Sequence, residues 1–383
     1  MIKVLTTICM IGIATSGCTS KKSTQAQVEL ANKGELTMLV GTYTSGTSKG
    51  IYTYRFNEES GIAVPLSETE IGNPSYLIPS ADGRMVYAVS EFGDKHAAVY
   101  AFALDQSNGT LRLLNSQPTN GEDPCYLLTN GKNVVTANYS GGSISVLPIA
   151  KDGSLLPASR VLKFEGSGSD KERQEKAHLH CVSITPDGKY LLANDLGTDQ
   201  IYKYNIHPNT GADNPDPFLT KGSPESFQVA PGSGPRHLTF SPDGTFAYLI
   251  NELAGTVVAF TYKDGNLKEF QTIAADTVAA KGSADIHISP DGKFLYASNR
   301  LQADGIAIFR INPANGLLTK VGYQLTGIHP RNFVITPNGK YLLAACRDSN
   351  VIQVYERNTD TGLLTDIQKD IKLDKPVCLK FVP

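Results

Sequence analysis

Two sets of polar positions recur along this chain, and their residue types suit anion binding and proton transfer. The first set sits just before short apolar runs: Asn73-Pro74-Ser75-Tyr76, Asp123-Pro124-Cys125-Tyr126, His178-Leu179-His180, Gly234-Pro235-Arg236-His237, Ala284-Asp285 and His329-Pro330-Arg331-Asn332. The second follows the next apolar run: Glu91, Asn138-Tyr139, Asn194-Asp195, Asn251-Glu252, Asn299-Arg300 and Arg347-Asp348. Of 11 arginines, four (Arg236, Arg300, Arg331 and Arg347) fall at these places, a concentration that random scatter rarely produces. Partly buried like charges cost free energy unless an anion balances them, so a carboxylate- or phosphate-bearing ligand is expected. His180 and Glu252 are the candidate general acid/base groups, with Arg236 and Arg300 beside them to stabilise an oxyanion. Arg331, His237, Asp195, Arg347 and His178 are candidate substrate contacts.

Other chemistries lack their signatures. No serine sits in a nucleophile elbow, and no thiol has a local base partner. His178 and His180, two residues apart on a strand, share a face, but no third metal ligand accompanies them. Neither a metal nor a cofactor is expected. The residues that remain suit hydrolysis of an activated cyclic ester, which needs a positioned water, a base and positive charge near the carbonyl oxygen. Simpler readings stand beside these: Asn138, Asn194 and Asn299 as turn caps, rim charges as plain surface charge, and His96 and His207 as solvated loop residues.

The elements that would gather such residues come from a repeat. An apolar run, a Pro-Asp-Gly-like turn and a Tyr- or Phe-rich run recur as SITPDGKYLLANDLG from Ser183, TFSPDGTFAYLINELAG from Thr239, HISPDGKFLYASNRL from His287 and VITPNGKYLLAACRD from Val334. Degenerate copies begin at Ile78 and Leu128. The Asp-Gly and Asn-Gly pairs are expected to supply the positive φ of tight hairpins. A second alternating pair follows each, so one unit is four strands, the content of a propeller blade. First inner strands are expected near Ser75, Cys125, His180, Arg236, Asp285, Arg331 and Val377. The last unit stops after one strand, and ELTMLVGTYTSG, GIYTYRF and GIAVPLSE near the N-terminus supply its other three. The fold expected is all-β, a seven-bladed propeller with its last blade closed by both chain ends, leaving no open sheet edge. In such a ring both polar sets meet at one mouth of the central channel, with Ser75, His180, Arg236, Ala284 and Arg331 equivalent.

Composition agrees with a packed globular chain: 383 residues, 40% apolar, 19% charged, net charge −2. No basic field favours nucleic acid or anionic lipid. The N-terminus reads as an export signal over residues 1–17: Lys3, an apolar stretch too short to span a bilayer, then Thr15-Ser16-Gly17-Cys18, a lipobox-like run with Thr15 where leucine is usual. Cys18 is the expected lipid anchor, and 18–36 a flexible tether to a propeller over 37–383. The expected location is that of an exported lipoprotein, on the periplasmic or outer-membrane face, with the cytoplasm as the alternative should the lipobox not operate. Contact with a membrane would be through the anchor alone. Cys125, Cys181, Cys346 and Cys378 are expected as buried free thiols. A closed ring satisfies its own edges, so a monomer is expected.

The runs AHLHCVSITPDGKYLLANDLGTDQI from Ala177, GPRHLTFSPDGTFAYLINEL from Gly234, SPDGKFLYASNR from Ser289 and HPRNFVITPNGKYLLAA from His329 resemble the bacterial lactonase family. That family holds propeller-type 6-phosphogluconolactonases and is similar to carboxy-muconate lactonising enzymes. The likeness covers residues 37–383. It implies a seven-bladed fold, a site at the channel mouth, no metal requirement and a small anionic sugar-lactone substrate. His180, Arg236, Glu252 and Arg300 match the family's His, Arg and Glu positions, and Arg331 matches an anion contact. Whether His180 or Glu252 is the base stays open. The alternatives are a muconate-type cycloisomerase and a non-catalytic propeller binding a glycan or protein. A 6-phosphogluconolactone arises in the cytosol, so either the lipobox does not operate or the substrate is another sugar or aldonic lactone outside the inner membrane.

Overall fold

The computed structural model describes residues 34–383 except 209, 211 and 213–216. The expected signal segment, Cys18 and most of the tether lie outside the described residues. The Pro-Asp-Gly phrases each form a hairpin corner. In Thr185-Pro186-Asp187-Gly188 the Asp187 carboxylate accepts from Thr185 Oγ1 (2.6 Å) and Lys189 N (3.1 Å), while Gly188 alone takes positive φ, at 69°. The left-handed residue is thus glycine only, and the acidic residue acts through its side chain rather than its own φ.

These corners join strands into seven sheets: six of four strands and one, in blade 6, with two short strands, Leu364–Asp366 and Ile371–Lys372, sharing the outer edge. The innermost strands are Leu77–Pro79, Pro124–Thr129, Leu179–Ile184, Pro235–Phe240, Ser283–Ile288, Pro330–Ile335 and Pro376–Phe381, numbered here as blades 1 to 7. Each lies where the repeat places it. Blade 7 joins Pro376–Phe381 to Glu35–Thr42, Gly50–Asn57 and Ile62–Glu70, so both chain ends close the ring. The first strand starts at Glu35, inside the span expected as tether.

Apolar side chains are packed between blades rather than in one central core. Met38, Val40 and Phe56 of blade 7 pack on Leu343 and Val354 of blade 6, while Leu39 and Cys378 pack on Leu77 and Val86 of blade 1. Buried tyrosines add hydrogen bonds across these seams: Tyr87, Tyr248 and Tyr296 donate to the carbonyls of Gly153, Gly316 and Gly362 on the next blade. Cys125, Cys181, Cys346 and Cys378 are free and buried.

One irregularity aims side chains at the axis. Five innermost strands carry a one-residue register shift at the same step, and the extra residues are Cys125, His180, Arg236, Arg331 and Val377; the blade 5 strand shifts at the same place, over Ala284 and Asp285. A bulge lets a side chain leave the normal alternation of a strand and point at the channel mouth.

Candidate functional site at the channel mouth

Two rings of equivalent positions meet at the mouth. The bulge ring supplies Cys125, His180 and Arg331. The ring of residues following each second strand supplies Tyr43, Glu91, Tyr139, Glu252, Arg300 and Arg347, with Leu196 in blade 3. Apart from Leu196, all of these line one cavity of about 370 Å³, together with Arg173, Leu301 and His329. A larger groove, about 900 Å³, opens at the other end of blades 1 and 2, walled by hairpin corners such as Asp82 and Gly131. Its size does not mark it as the reactive site, because the buried ionisable groups gather at the mouth.

Glu252 is the centre of that gathering. Its Oε2 receives Arg236 Nε at 2.8 Å and lies 3.3 Å from an Arg300 terminal nitrogen, and its Oε1 receives Arg173 at 2.8 Å. Burial alone would raise the Glu252 carboxyl, but Arg300, Arg236 and Arg173 pull it down to about 2. Burial lowers Arg300 to about 9, against the pull of Glu252 and with repulsion from Arg236 and Arg331.

Two imidazoles back two of these guanidiniums. His237 Nδ1 meets Asp285 Oδ1 at 2.7 Å, and its Nε2 lies 3.2 Å from a terminal nitrogen of Arg236. Burial, then Arg236, lower His237 to about 3, so the ring is neutral, with Nδ1–H donating to Asp285 and Nε2 accepting from arginine. His329 repeats the pattern, with Nε2 at 3.2 Å from Arg300 and Nδ1 at 3.5 Å from Asp348. Asp285 also binds His287 Nε2 at 2.9 Å and the Asn332 amide, which anchors the network in the channel.

The expected site residues separate into three groups. His180, Glu252, Arg300, Arg331 and Arg347 line the cavity, with Arg347 held by Asp348 through two bonds of 2.8 Å. Arg236 and His237 stand immediately behind the wall, buried. Asp195 and His178 are not on it. The Asp195 carboxylate accepts from His178 N, Gly197 N and Thr198 Oγ1 at 2.7 to 2.9 Å, forming a turn cap. The His178 ring stacks on Tyr139 at 4.4 Å, with Nε2 at 3.0 Å from Glu175. These two expected substrate contacts thus stand off the cavity wall, held by a short turn and a ring stack. His180 is buried against the rings of Tyr139 and His237, and burial followed by Arg236 lowers it well below the ordinary histidine value.

Several wall residues were not among the candidate site residues. Glu91 and Tyr139 belong to the second polar set with Glu252, and Tyr43 holds the same ring position in blade 7 and could have been found by extending that equivalence. Arg173 could not: it comes from the long 164–178 connection, outside the repeat, and reaches both Glu252 and the Tyr139 hydroxyl (3.2 Å). Among the described residues, no group of three or more His, Cys, Asp or Glu is arranged to hold a metal ion.

Arg331 differs from the other guanidiniums. Its head lies 5.5 Å over the Tyr43 ring, and among the described residues it has no hydrogen bond and no carboxylate within ion-pair distance. A family pattern described as a seven-bladed β-propeller lactonase matches residues 37–381. The chain belongs to that lactonase family. By class it is therefore a lactone hydrolase, one of the carboxylic ester hydrolases. This lactonase-family chain is 36% identical over 353 residues to the 6-phosphogluconolactonase of Bacillus subtilis, covering 90% of this chain and 97% of that one. A Bacteroides fragilis chain put forward as a 6-phosphogluconolactonase superposes with a TM-score of 0.92 at 73% identity, covering 92% and 99% of the two chains. A periplasmic gluconolactonase of Pseudomonas aeruginosa superposes with a TM-score of 0.85 at 34% identity, covering 91% and 99%.

Proposed function

We propose that this protein opens an aldonolactone, 6-phosphogluconolactone or a close relative, by water attack inside the mouth cavity. The observation that carries the reading is the unengaged Arg331 on the wall of a cavity already crowded with guanidiniums. Such a wall attracts an anionic sugar lactone and stabilises the oxyanion formed when water adds to its carbonyl. Glu252, bonded to three arginines, serves to hold those guanidiniums in place. His180 and Glu91 are the proton acceptors on the cavity wall that have no guanidinium bonded to them.

The export signal, the Cys18 anchor and the periplasmic relative support a working place outside the inner membrane. The closed ring supports a monomer. The deciding experiment is a pH-stat panel of δ- and γ-aldonolactones with and without a 6-phosphate. Acceleration over buffer on at least one is expected; a flat response across the panel defeats the reading.

A further inference from the structure

We propose that Glu91 is the general base of the mouth cavity, taking the proton of the attacking water and returning it to the departing ring oxygen. The assignment rests on the lactone-hydrolase reading above and deepens it.

Glu91 follows the second strand of blade 1 as Glu252 follows that of blade 4, so two carboxylates reach the same cavity from equivalent ring positions. Their surroundings differ. Both oxygens of Glu252 are bonded by guanidiniums. Glu91 instead has hydroxyl donors: Tyr43 Oη stands 3.0 and 3.1 Å from its two oxygens, and Ser75 Oγ donates to Oε2. Among the described residues no cation lies within ion-pair distance of it. Hydroxyl donors orient a carboxylate while leaving lone pairs for a water, whereas three guanidiniums fill them.

The groups facing Glu91 are Tyr43 from blade 7, Arg331 from blade 6, Ser75 from its own blade, and Asp123 and Cys125 from blade 2. Burial raises the Glu91 carboxyl above the usual carboxylate value, opposed by Arg331, Ser75 and Tyr43 and aided by Asp123. Glu252 is driven the other way, and a pair of carboxyls pushed apart in this manner divides the work between charge stabiliser and proton carrier. His180 is the weaker candidate. Its ring is packed between Tyr139 and His237 with Cys125 Sγ 3.9 Å from Nδ1, and the field of Arg236 and Arg331 disfavours its protonated form.

The step balances with water as the only co-reactant. Water oxygen bonds to the carbonyl carbon while one of its protons passes to Glu91, and the carbonyl electron pair moves to an oxyanion facing the guanidiniums of the cavity wall. When that pair returns, the bond to the ring oxygen breaks, and the ring oxygen takes the proton from Glu91. The product acid then ionises.

The test uses the full chain and the lactone that the panel finds fastest. Glu91→Gln is expected to lower kcat by ~10² to 10⁴-fold, the range for loss of a general base, with KM little changed. Glu91→Asp is expected to recover part of that loss. Tyr43→Phe removes a donor that favours the ionised carboxyl, so the acid limb of kcat/KM moves to higher pH. Wild-type kcat in a folded Glu91→Gln overturns the assignment. Should that variant not fold, an unmoved acid limb in Tyr43→Phe overturns it instead. If the wild-type protein accelerates no lactone, the enzymatic reading itself falls, which is a different result from either.

Discussion

Arg236 and Glu252 come from neighbouring strands of one blade and meet at 2.8 Å, Nε to Oε2, with the arginine side chain 1% exposed. The pair exists because Arg236 is the extra residue of a bulge and Glu252 the first residue beyond the facing strand, so both leave the sheet at the same point. Arg300 and Arg173 then converge on the same carboxylate from blade 5 and from a loop. The result is a carboxylate whose chemistry is electrostatic, surrounded by cations backed by neutral imidazoles.

Replacing Glu252 by Gln leaves these buried guanidiniums without their counter-charge. A loss of about 3 to 5 kcal/mol in stability is expected, the cost of breaking a buried ion pair from one side, measured by urea unfolding. The wild-type contribution has a defined pH window. The folded carboxyl, near 2, lies below its unfolded value of 4.5, so the stabilisation is complete above 4.5 and lost as pH falls toward 2. A Glu252→Gln variant with wild-type stability at pH 7 would show that the cations are balanced elsewhere.

His237 titrates in the opposite sense to a histidine that gains a partner. Its folded value, about 3, is below the unfolded 6.5, so unfolded chains take up a proton first as pH falls and stability declines below pH 6.5. One such group adds a slope of up to about 1.4 kcal/mol per pH unit. His237→Gln should therefore flatten the stability profile between pH 6 and 4. An identical slope in wild type and variant would mean that the ring is protonated in the native protein.

Arg331→Ala tests substrate charge. The KM of a 6-phosphorylated lactone should rise by ~10- to 100-fold, corresponding to loss of a charge-assisted hydrogen bond, with a smaller effect on the unphosphorylated sugar. Equal effects on both would move the role of Arg331 from phosphate to carbonyl oxygen.

Deleting residues 376–383 removes the inner strand of blade 7 and exposes the pairing edge of Glu35–Thr42. The truncated chain is expected to aggregate or to lose its cooperative unfolding transition, seen by calorimetry. A soluble, cooperatively unfolding product would show that closure is dispensable.

Cys18→Ala should abolish incorporation of labelled palmitate and release the protein from the membrane fraction. Unchanged fractionation would refute the anchor.

The repeat made much of this molecule legible. Phrase spacing places seven innermost strands, and proline register makes His180, Arg236 and Arg331 equivalent. Arg173 escaped because it belongs to no repeat, and a long connection has no periodicity from which a direction can be read. Asp195 and His178 stand off the cavity wall because the same polar residue types that suit a ligand also suit a turn cap or a ring stack.

By itself, then, the chain determined its blade count, its closure by both ends and the ring positions that reach the mouth, since hydrogen-bonded hairpins of set length can only be stacked in register. Only the tertiary structure decided which of two equivalent carboxylates is held by cations and which by hydroxyls. Those environments are assembled from residues on several different blades and a loop, and local sequence around Glu91 or Glu252 holds no record of them.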